Sequence, residues 1–449
     1  MKKTLMSLLI GVSISTSALA DDLYQVYQMA VEKDPTVNRA KADKDEAFEG
    51  ISVSRANLLP QVSGSVSYTD STSESFNFTT DAAGNPIVGI VESDTQTLGL
   101  DLDLSLSLYD RQNWVALSRA EKVAQRSDIN FALAKQDLIL RTTNAYLDIL
   151  RAKDNLIFVQ AEKRAIERQL EQTKQRFNVG LTAITDVHEA QADYDNTVAQ
   201  EILAENVVEL RLEEMREITG KYLNAVSVLN TESFSASRPT PAGVDNWLKI
   251  AEEKNLDLMV SNMSKEIASD DIASAKAGHY PTLSLAANYS RDDTEINGNS
   301  SFPARDSNYI ALSLDVPIYQ GSSVTALTAQ ARYRFVAASE DMELTYRSTV
   351  RSVRSAYNDV IASTSTIKAL EQAVVSADSA LKATEAGFDV GTRTIVDVLN
   401  STRNLFDARR NLASARYDYI SAIFELKRAS GNLTEKDVID INRGLSAES

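Results

Sequence analysis

The clearest pattern in the chain is a strict alternation of leucine with small or acidic residues in LGLDLDLSLSLYD, residues 98–110. Successive side chains of a β-strand point to opposite faces, so this segment predicts a strand with one leucine face. The opposite face carries Gly99, Asp101, Asp103, Ser105 and Ser107. A similar alternation precedes it, and we predict two strands over about 61–70 and 97–109.

Two further strands are predicted later in the chain, over about 281–291 and 309–319, because apolar residues again take every second position. Pro60 and Pro281 stand where the first strand of each pair begins, a position that tolerates proline. The polar segments between the paired strands are predicted to be loops, at 70–97 and 292–308.

Long segments without glycine or proline predict long helices. Residues 111–179 and 322–386 contain neither residue, and at 1.5 Å per residue the second segment would form a helix of roughly 100 Å. Its apolar residues alternate spacings of four and three with one phase break, which is typical of a coiled-coil seam. The seam positions are Tyr346, Val350, Val353, Tyr357, Val360, Thr364 and Ile367, then Leu370, Val374, Ala377, Leu381, Thr384 and Phe388.

Each long helix is followed by a short turn and a second segment without helix breakers, 181–219 or 392–430. Glycine closes a helix C-terminus because it adopts a positive φ angle without strain. Gly180 and Gly391 therefore predict the turns of two helical hairpins, at about 177–184 and 388–394.

The two halves of the chain match each other. RFNVGLTAITDV (176–187) corresponds to GFDVGTRTIVDV (387–398), and Gly220 and Gly431 keep the same spacing. Such self-similarity indicates an internal two-fold duplication. We therefore divide the chain that follows residue 20 into three parts. The first structural repeat is 21–230, the second structural repeat is 231–431, and the C-terminal tail is 432–449.

The N-terminal segment MKKTLMSLLIGVSISTSALA, residues 1–20, has a basic start, an apolar middle and Ala-Leu-Ala before Asp21. These features predict a cleaved signal peptide and export from the cytoplasm. No later segment approaches the ~18 consecutive apolar residues of a membrane-spanning helix.

The composition excludes several classes of function. The 449 residues include no cysteine and two histidines, so neither a thiol nucleophile nor a Cys/His metal site is predicted. We find no nucleophile elbow, phosphate-binding loop or zinc-protease motif. The net charge of −17 argues against a nucleic-acid partner. We therefore predict a protein that is not an enzyme and uses no cofactor.

The leucine face points to a membrane. Four strands could not cover helices of this length in a soluble sandwich, whereas strands of about ten tilted residues cross the apolar band of a transmembrane barrel. Lipid would contact the leucines, and a water-filled lumen would contact Asp101 and Asp103. Four strands cannot close a barrel, and an open edge is not viable in lipid. Several copies must contribute, and this geometry leaves two, three or four copies open.

The segments RFNVGLTAITDVHEAQADYD and GFDVGTRTIVDVLNSTRNLFDARRNLASARYDYISAIFELKRASGNL resemble the two most characteristic segments of the TolC family of outer-membrane efflux ducts. The resemblance implies a mixed α and β fold: a homotrimeric 12-stranded transmembrane β-barrel continuous with a long periplasmic α-helical coiled-coil barrel. It also implies a mixed equatorial domain, formed by the linker 221–245 and the tail 432–449.

The resemblance further implies a passive outer-membrane duct for tripartite efflux and type I secretion, which exports drugs, bile acids, detergents or proteins. Its implied partners are a periplasmic adaptor (membrane fusion protein), an inner-membrane transporter of the RND, MFS or ABC type, and outer-membrane lipid. The implied adaptor-facing positions are the hairpin turns, Val179, Gly180, Leu181, Val390, Gly391 and Thr392.

In that family the inner hairpins close the periplasmic entrance. By position, Thr185 and Asp186 on one hairpin would face Phe388 and Arg393 on another. Relatives often have tyrosine where Phe388 stands, and phenylalanine has no hydroxyl to donate to Asp186. Asp397 would line the constriction and form a possible cation ring. The second acidic ring of the family would be neutral here, because Asn400 stands at its position.

Two other functions compete with an export duct. A passive porin would use the strands, but it needs no helix of this length. A structural or adhesive coiled coil would use the helices, but it needs no leucine-faced strands. Gene deletion separates these functions, because loss of a duct sensitises cells to detergents and dyes.

Overall fold

The structure is a computed structural model that describes residues 21–223, 225–231, 234–297 and 303–446. The predicted signal peptide lies outside the described residues. The helices are α1 Leu23–Lys33, α2 Pro35–Ala56, α3 Arg111–Asn178, α4 Ile184–Thr219, α5 Val244–Lys254, α6 Leu256–Ala277, α7 Ser323–Asp389, α8 Ile395–Ala429 and α9 Glu435–Asn442. The strands are β1 Gln61–Thr80, β2 Pro86–Tyr109, β3 Val228–Leu229, β4 Thr282–Ile296, β5 Arg305–Asp315 and β6 Leu445–Ser446.

None of the helices in the described part of the chain is long and apolar enough to span a membrane.

The long strands form one antiparallel sheet in the order β1-β2-β4-β5. This sheet belongs to a compact unit made of residues 43–128 and 260–343. Around Leu104 and Leu106 the neighbouring strands keep the alternation in step, so apolar residues line up across one face. Further along β2 the leucine face also carries charged residues, because Arg291 lies opposite Leu100 and Asp293 lies opposite Leu98. One apolar row is Val62, Leu104, Ala287 and Ile310, and the next row, on the polar face, is Ser63, Asp103, Asn288 and Tyr309. The apolar face is open to solvent in the single chain, with Ile310 81% exposed.

The strands are longer than the sequence predicts. β1 continues to Thr80 and β2 begins at Pro86, so the predicted loop 70–97 is wrong and the segment is a β-hairpin. The sequence-based strands ended where the apolar alternation ended. In this segment polar residues occupy both faces of the hairpin, but the two backbones remain paired, as at Glu74 opposite Glu92.

The second strand pair also departs from prediction at its ends. β4 continues to Ile296 and β5 begins at Arg305, so the predicted loop 292–308 is too long for the same reason. β5 ends at Asp315, short of the predicted 319. Pro317 follows two residues later and has no backbone N–H to donate to a ladder.

Within the described residues, the second compact unit takes its residues from 21–42, 129–259 and 344–446. Its core joins α1, α3, α7 and α8 through fully or nearly fully buried side chains, among them Leu23, Leu150, Val353, Val360 and Phe424. Burial of apolar surface on this scale is what stabilises helices of such length. Tyr146 on α3 is completely buried, and its hydroxyl donates to the carbonyl of Ser227 at 2.8 Å.

The predicted coiled-coil seam is visible in α7. Every predicted seam position from Val350 to Phe388 is at least partly buried, whereas Tyr346 is exposed. Val353 and Val360 are completely buried and Ile367 is 3% exposed. The alternation of three and four residues in the sequence therefore identifies the face of this helix that packs inside the chain.

The linker after α4 and the C-terminal tail meet in a small sheet. β3 pairs with β6 in antiparallel register, with Val228 opposite Ser446. α9 lies between the end of α8 and β6, so the predicted linker 221–245 and tail 432–449 are joined by backbone pairing. Both compact units draw on both predicted repeats, and the repeat boundaries remain a prediction.

Candidate functional site

The site begins with the backbone of the two hairpin turns. Gly180 and Gly391 have φ angles of 75° and 80°, the left-handed conformation that closes a helix end. The amide of Leu181 donates to the carbonyl of Arg176 at 2.8 Å, and the amide of Thr392 donates to the carbonyl of Gly387 at 2.8 Å. Both turns therefore use the same hydrogen bonds, and they lie where the sequence predicts hairpin turns.

Large apolar side chains stand exposed on both turns. Val179 is 70% exposed, Leu181 71% and Val390 75%. These residues are three of the six predicted adaptor-facing positions; the others are Gly180, Gly391 and the exposed Thr392. An apolar patch at the tip of a helical hairpin is a surface that a partner could bury.

Phe388 lies inside the base of the second turn. It is 9% exposed and packs in a cluster with Ile166, Leu170, Ala190, Ile395, Val398 and Leu399. These residues come from α3, α4, α7 and α8, so the ring of Phe388 helps to hold the two hairpins of one chain together.

Arg176, the third-last residue of α3, contacts Phe388 from outside this cluster. Its guanidinium carbon lies 4.5 Å from the centre of the Phe388 ring. It also donates to the Asp389 carboxylate at 3.2 Å and to the Asp389 carbonyl at 3.3 Å. A cation over an aromatic face is favourable, and the two hydrogen bonds fix its orientation. Arg176 therefore ties the end of α3 to the end of α7.

The two equivalent aspartates after the turns have different partners. Asp397 completes a capping box with Thr394, accepting from the Thr394 amide at 2.9 Å and from its hydroxyl at 2.9 Å. α4 begins after Ala183, whose side chain has no oxygen that could cap the helix. Asp186, in the first turn of α4, accepts instead from the hydroxyl of Thr182. Of the two helices that follow the turns, α8 begins with a reciprocal cap and α4 does not, and such a cap typically stabilises a helix start.

The capping hydrogen bonds change the acidity of Asp397. Hydrogen bonds from the Thr394 backbone and then from its hydroxyl lower the pKa of the Asp397 carboxyl, and the nearby charge of Arg393 adds to the effect. Hydrogen bonding to a charged form favours that form. Asp397 therefore stays ionised under more acidic conditions than an ordinary aspartate.

The other predicted site residues are Thr185, Arg393 and Asn400, which lie at or shortly after these turns. Thr185 is exposed at the start of α4. The side chain of Arg393 lies against Gly387, where an added Cβ would come within 2.8 Å of Arg393 Cγ. Asn400 is exposed and accepts from Arg403 at 3.4 Å. The predicted facing of Thr185 and Asp186 with Phe388 and Arg393 remains a prediction, as does the constriction at Asp397 and Asn400.

No group of three or more histidine, aspartate or glutamate side chains within the described residues is placed to hold a metal ion. A cation ring at Asp397 would therefore need carboxylates from further copies of the chain.

Two more arginines link the hairpins, and the sequence does not single them out. Arg403 on α8 donates to both oxygens of Asp193 on α4, at 3.1 and 3.0 Å. Further along α8, Arg410 donates to Glu162 on α3 at 2.7 Å, and Glu162 is 2% exposed. Bidentate and buried arginine pairs have defined geometry, so these contacts hold α8 against the other hairpin.

The sequence does contain a signal for Arg176. When the two repeats are aligned, Arg176 in RFNVG falls on Gly387 in GFDVG. One repeat supplies the arginine that reaches the Phe388 ring, and the other has a glycine against which the side chain of Arg393 lies. A difference between otherwise matching repeats therefore marks the residues with distinct roles.

Comparisons with known proteins agree on one group. The family model described as outer membrane efflux protein matches residues 26–221 and 247–432. The chain is 44% identical to Outer membrane protein TolC of Vibrio cholerae serotype O1, over 96% of each chain. It is 27% identical to Alkaline protease secretion protein AprF of Pseudomonas aeruginosa, over 94% of this chain and 86% of that protein.

Solved structures resemble the chain over its whole fold. The outer membrane protein VceC of Vibrio cholerae matches with a TM-score of 0.73 at 18% identity, covering 91% of this chain and 96% of that one. Identity this low compares backbones rather than side chains, so the likeness concerns the fold.

Proposed function

The chain belongs to the outer membrane efflux protein family and is an outer-membrane efflux and secretion channel, and we propose that it works as a passive homotrimeric duct with a gated periplasmic entrance. The duct carries out no chemistry of its own. Energy comes from an inner-membrane transporter of the RND, MFS or ABC type, which a periplasmic adaptor connects to the duct.

The main support for this proposal is the four-stranded sheet. It has one exposed apolar face, one polar face and two edge strands, β1 and β5, that pair on one side only within the described chain. Lipid does not tolerate unpaired strand edges. Three copies that pair β5 of one chain with β1 of the next supply a closed 12-stranded barrel, as the family resemblance implies.

The helices supply the rest of the conduit. α3 has 68 residues and α7 has 67, so each is about 100 Å long at 1.5 Å per residue. Six hairpin-forming helix pairs from three copies would enclose a periplasmic passage. The two separate matches to the family model support an internal duplication, which would give each copy two equivalent hairpins.

The gate lies at the hairpin turns in this proposal. Thr185 and Asp186 of one hairpin meet Phe388 and Arg393 of another and hold the entrance closed. Three copies of Asp397 surround the narrowest point as a ring that attracts cations, and the neighbouring ring at Asn400 is neutral. The hydrogen bonds from Thr394 that lower the pKa of Asp397 support this role, because they oppose the rise in pKa that repulsion between neighbouring carboxylates causes.

The adaptor binds the exposed turns, where Val179, Leu181 and Val390 offer apolar surface. Docking buries these side chains, and the hydrophobic effect supplies part of the binding free energy. The exported substrates are those that the transporter delivers, in the classes of drugs, bile acids, detergents or proteins.

Two measurements test the proposal. The mass of the detergent-solubilised protein should equal three chains, and a monomer or a dimer with a complete barrel would contradict it. Deletion of the gene should sensitise cells to detergents and dyes. A porin is distinguished by the opposite outcome, because loss of a porin protects cells by limiting uptake.

A further inference from the structure

Most side chains on the polar face of the four-stranded sheet are small, and one row across this face is different. The row consists of Ser63, Asp103, Asn288 and Tyr309, and we call it the tyrosine row. The two rows that flank it are Ser65, Asp101, Ser290 and Ser307 on one side and Gln61, Ser105, Ala286 and Ala311 on the other. Small neighbours leave the tyrosine ring open, and Tyr309 is 53% exposed.

Tyr309 is the only aromatic residue on the polar face of the described strands. Tyr68 and Tyr289, by contrast, lie on the leucine face, opposite Leu98 and Leu102. The ring of a tyrosine offers an apolar surface to other rings, and its face attracts cations. The polar face therefore has one place at which an apolar or aromatic ligand can stack.

The second group in the row is the Asp103 carboxylate, which a hydrogen bond orients. The side-chain amide of Asn288, on the neighbouring strand β4, donates to Asp103 Oδ1 at 2.8 Å. The other carboxylate oxygen of Asp103 and the amide oxygen of Asn288 have no hydrogen bond to any residue that the structure describes. Both oxygens can accept from an ammonium group.

The charge and spacing of these groups define the ligand that fits them. Neither the tyrosine row nor its two flanking rows contain a lysine or an arginine, and Asp101 adds a second negative charge. Tyr309 and Asp103 are two strands apart, so their Cα atoms are separated by about 10 Å, at about 4.8 Å between neighbouring strands. A ligand with one ammonium group and an apolar body of similar length matches both ends.

We propose that the tyrosine row binds organic cations that carry an apolar or aromatic body, with one site in each chain. The ammonium group contacts the oxygens of Asp103 and Asn288, and the body of the ligand lies over the ring of Tyr309. All three residues belong to one compact unit of one chain. The proposal rests on the proposed function, which turns this face toward the lumen of a closed barrel.

Block of the single-channel current tests the proposal. The protein is inserted in a planar bilayer, and 4-phenylbutylammonium is added on the extracellular side. It should block the current. Butylammonium has the same charge and no ring, and it should need a roughly two- to tenfold higher concentration for the same block, the range given by one aromatic pair.

Two substitutions at Tyr309 test the ring. Tyr309→Ala should abolish the difference between the two probes, because the surface that distinguishes them is removed, whereas Tyr309→Phe should keep the difference. The matched control is Tyr289→Ala, which removes a tyrosine from the leucine face of the neighbouring strand. This control should block as the wild type does with both probes.

Asp103→Asn separates a binding site from the general effect of an acidic surface. It should weaken the block by both probes roughly two- to fivefold, as the loss of one exposed ion pair does. Asp315→Asn removes the same charge from the same face, three rows away beside Thr282, and should weaken the block less. Equal effects of the two substitutions would mean that the probes respond to the acidic surface alone, and would overturn the proposal.

The same recordings separate this site from the proposed function. A wild-type protein that forms no channel would overturn both. A conducting channel in which Tyr309→Ala keeps the full preference for 4-phenylbutylammonium, or in which neither probe blocks the wild type, would contradict only this site.

Discussion

At the scale of single residues, the hairpin turns depend on a few side chains with several partners each. Arg176 stacks on Phe388 and bonds both the carboxylate and the carbonyl of Asp389. Phe388 has no hydroxyl and donates no side-chain hydrogen bond. Its ring therefore stabilises the end of α7 through the contact with Arg176 and through packing in its apolar cluster.

Arg176→Gln should loosen the end of α7 without unfolding the chain. The Arg176 side chain is 24% exposed and Asp389 62%, so solvent screens the ion pair, and we expect a loss of about 1 kcal/mol or less from contacts of this kind. Amide hydrogen exchange should rise at residues 386–390. Lys174→Gln is the control, because Lys174 pairs with Glu171 on its own helix. Equal exchange in both variants would exclude Arg176 as the link.

Asp397→Asn should weaken the block of the channel by a trivalent cation applied from the periplasmic side. The proposed ring would lose three charges, and repulsion between like charges is what a multivalent cation relieves. Single-channel conductance of Asp397→Asn and Arg393→Ser checks the gate, since Arg393→Ser should raise the conductance of the closed state. Unchanged conductance together with undiminished block would leave both residues as surface polar groups.

The block should also depend on pH. Hydrogen bonds from Thr394 lower the pKa of Asp397 and repulsion within the ring raises it, so the block is present above the resulting pKa and is lost as the pH falls through it. Thr394→Ala removes the hydroxyl and should move the loss of block to higher pH. A pH profile that is identical in wild type and Thr394→Ala would show that the capping box does not control this charge.

At the scale of elements, periodicity predicted most of the secondary structure. The helical seam of α7 follows from the burial of its apolar side chains, and the core of the sheet follows from the alternation of apolar and polar residues along each strand. The outer part of β1 and β2 could not be predicted from periodicity, because Ser, Thr, Asp and Glu occupy both faces there and no apolar alternation remains. Arg176 was missed for a different reason: its partners lie on α7, which is distant in sequence, and the sequence marks it only by the mismatch with Gly387 between the repeats.

The two faces of β2 should respond differently to the same substitution. Leu102→Lys places a charge on the apolar face near the centre of the strand, where such changes cost about 2–4 kcal/mol in transmembrane barrels. Ser105→Lys places the same charge on the polar face and should cost far less. The urea midpoint of trimer dissociation in detergent measures both. Equal losses would contradict the assignment of one face to lipid.

At the scale of the whole molecule, charge should set the preference of the conduit for ions. The chain has a net charge of −17, and the polar face of the sheet presents Asp101, Asp103 and Asp292, with Arg305 opposite Asp292. A narrow acidic passage concentrates cations. Reversal potentials in a planar bilayer under a salt gradient should show cation preference that weakens at high salt. Anion preference would contradict the inward placement of these carboxylates.

The outer half of the β1–β2 hairpin has a consequence for how the protein could be used. β2 pairs with β4 only as far as Thr95, opposite Ile296, while β1 and β2 continue to pair up to Thr80 and Pro86. The turn between them is closed by Asp81, whose carboxylate accepts from the amides of Ala83 and Asn85 at 2.9 and 2.8 Å. In the proposed trimer this ribbon projects from the cell surface, clear of the conduit. A foreign peptide grafted between Ala83 and Gly84 would be presented to the medium in three copies, which makes the chain a scaffold for surface display.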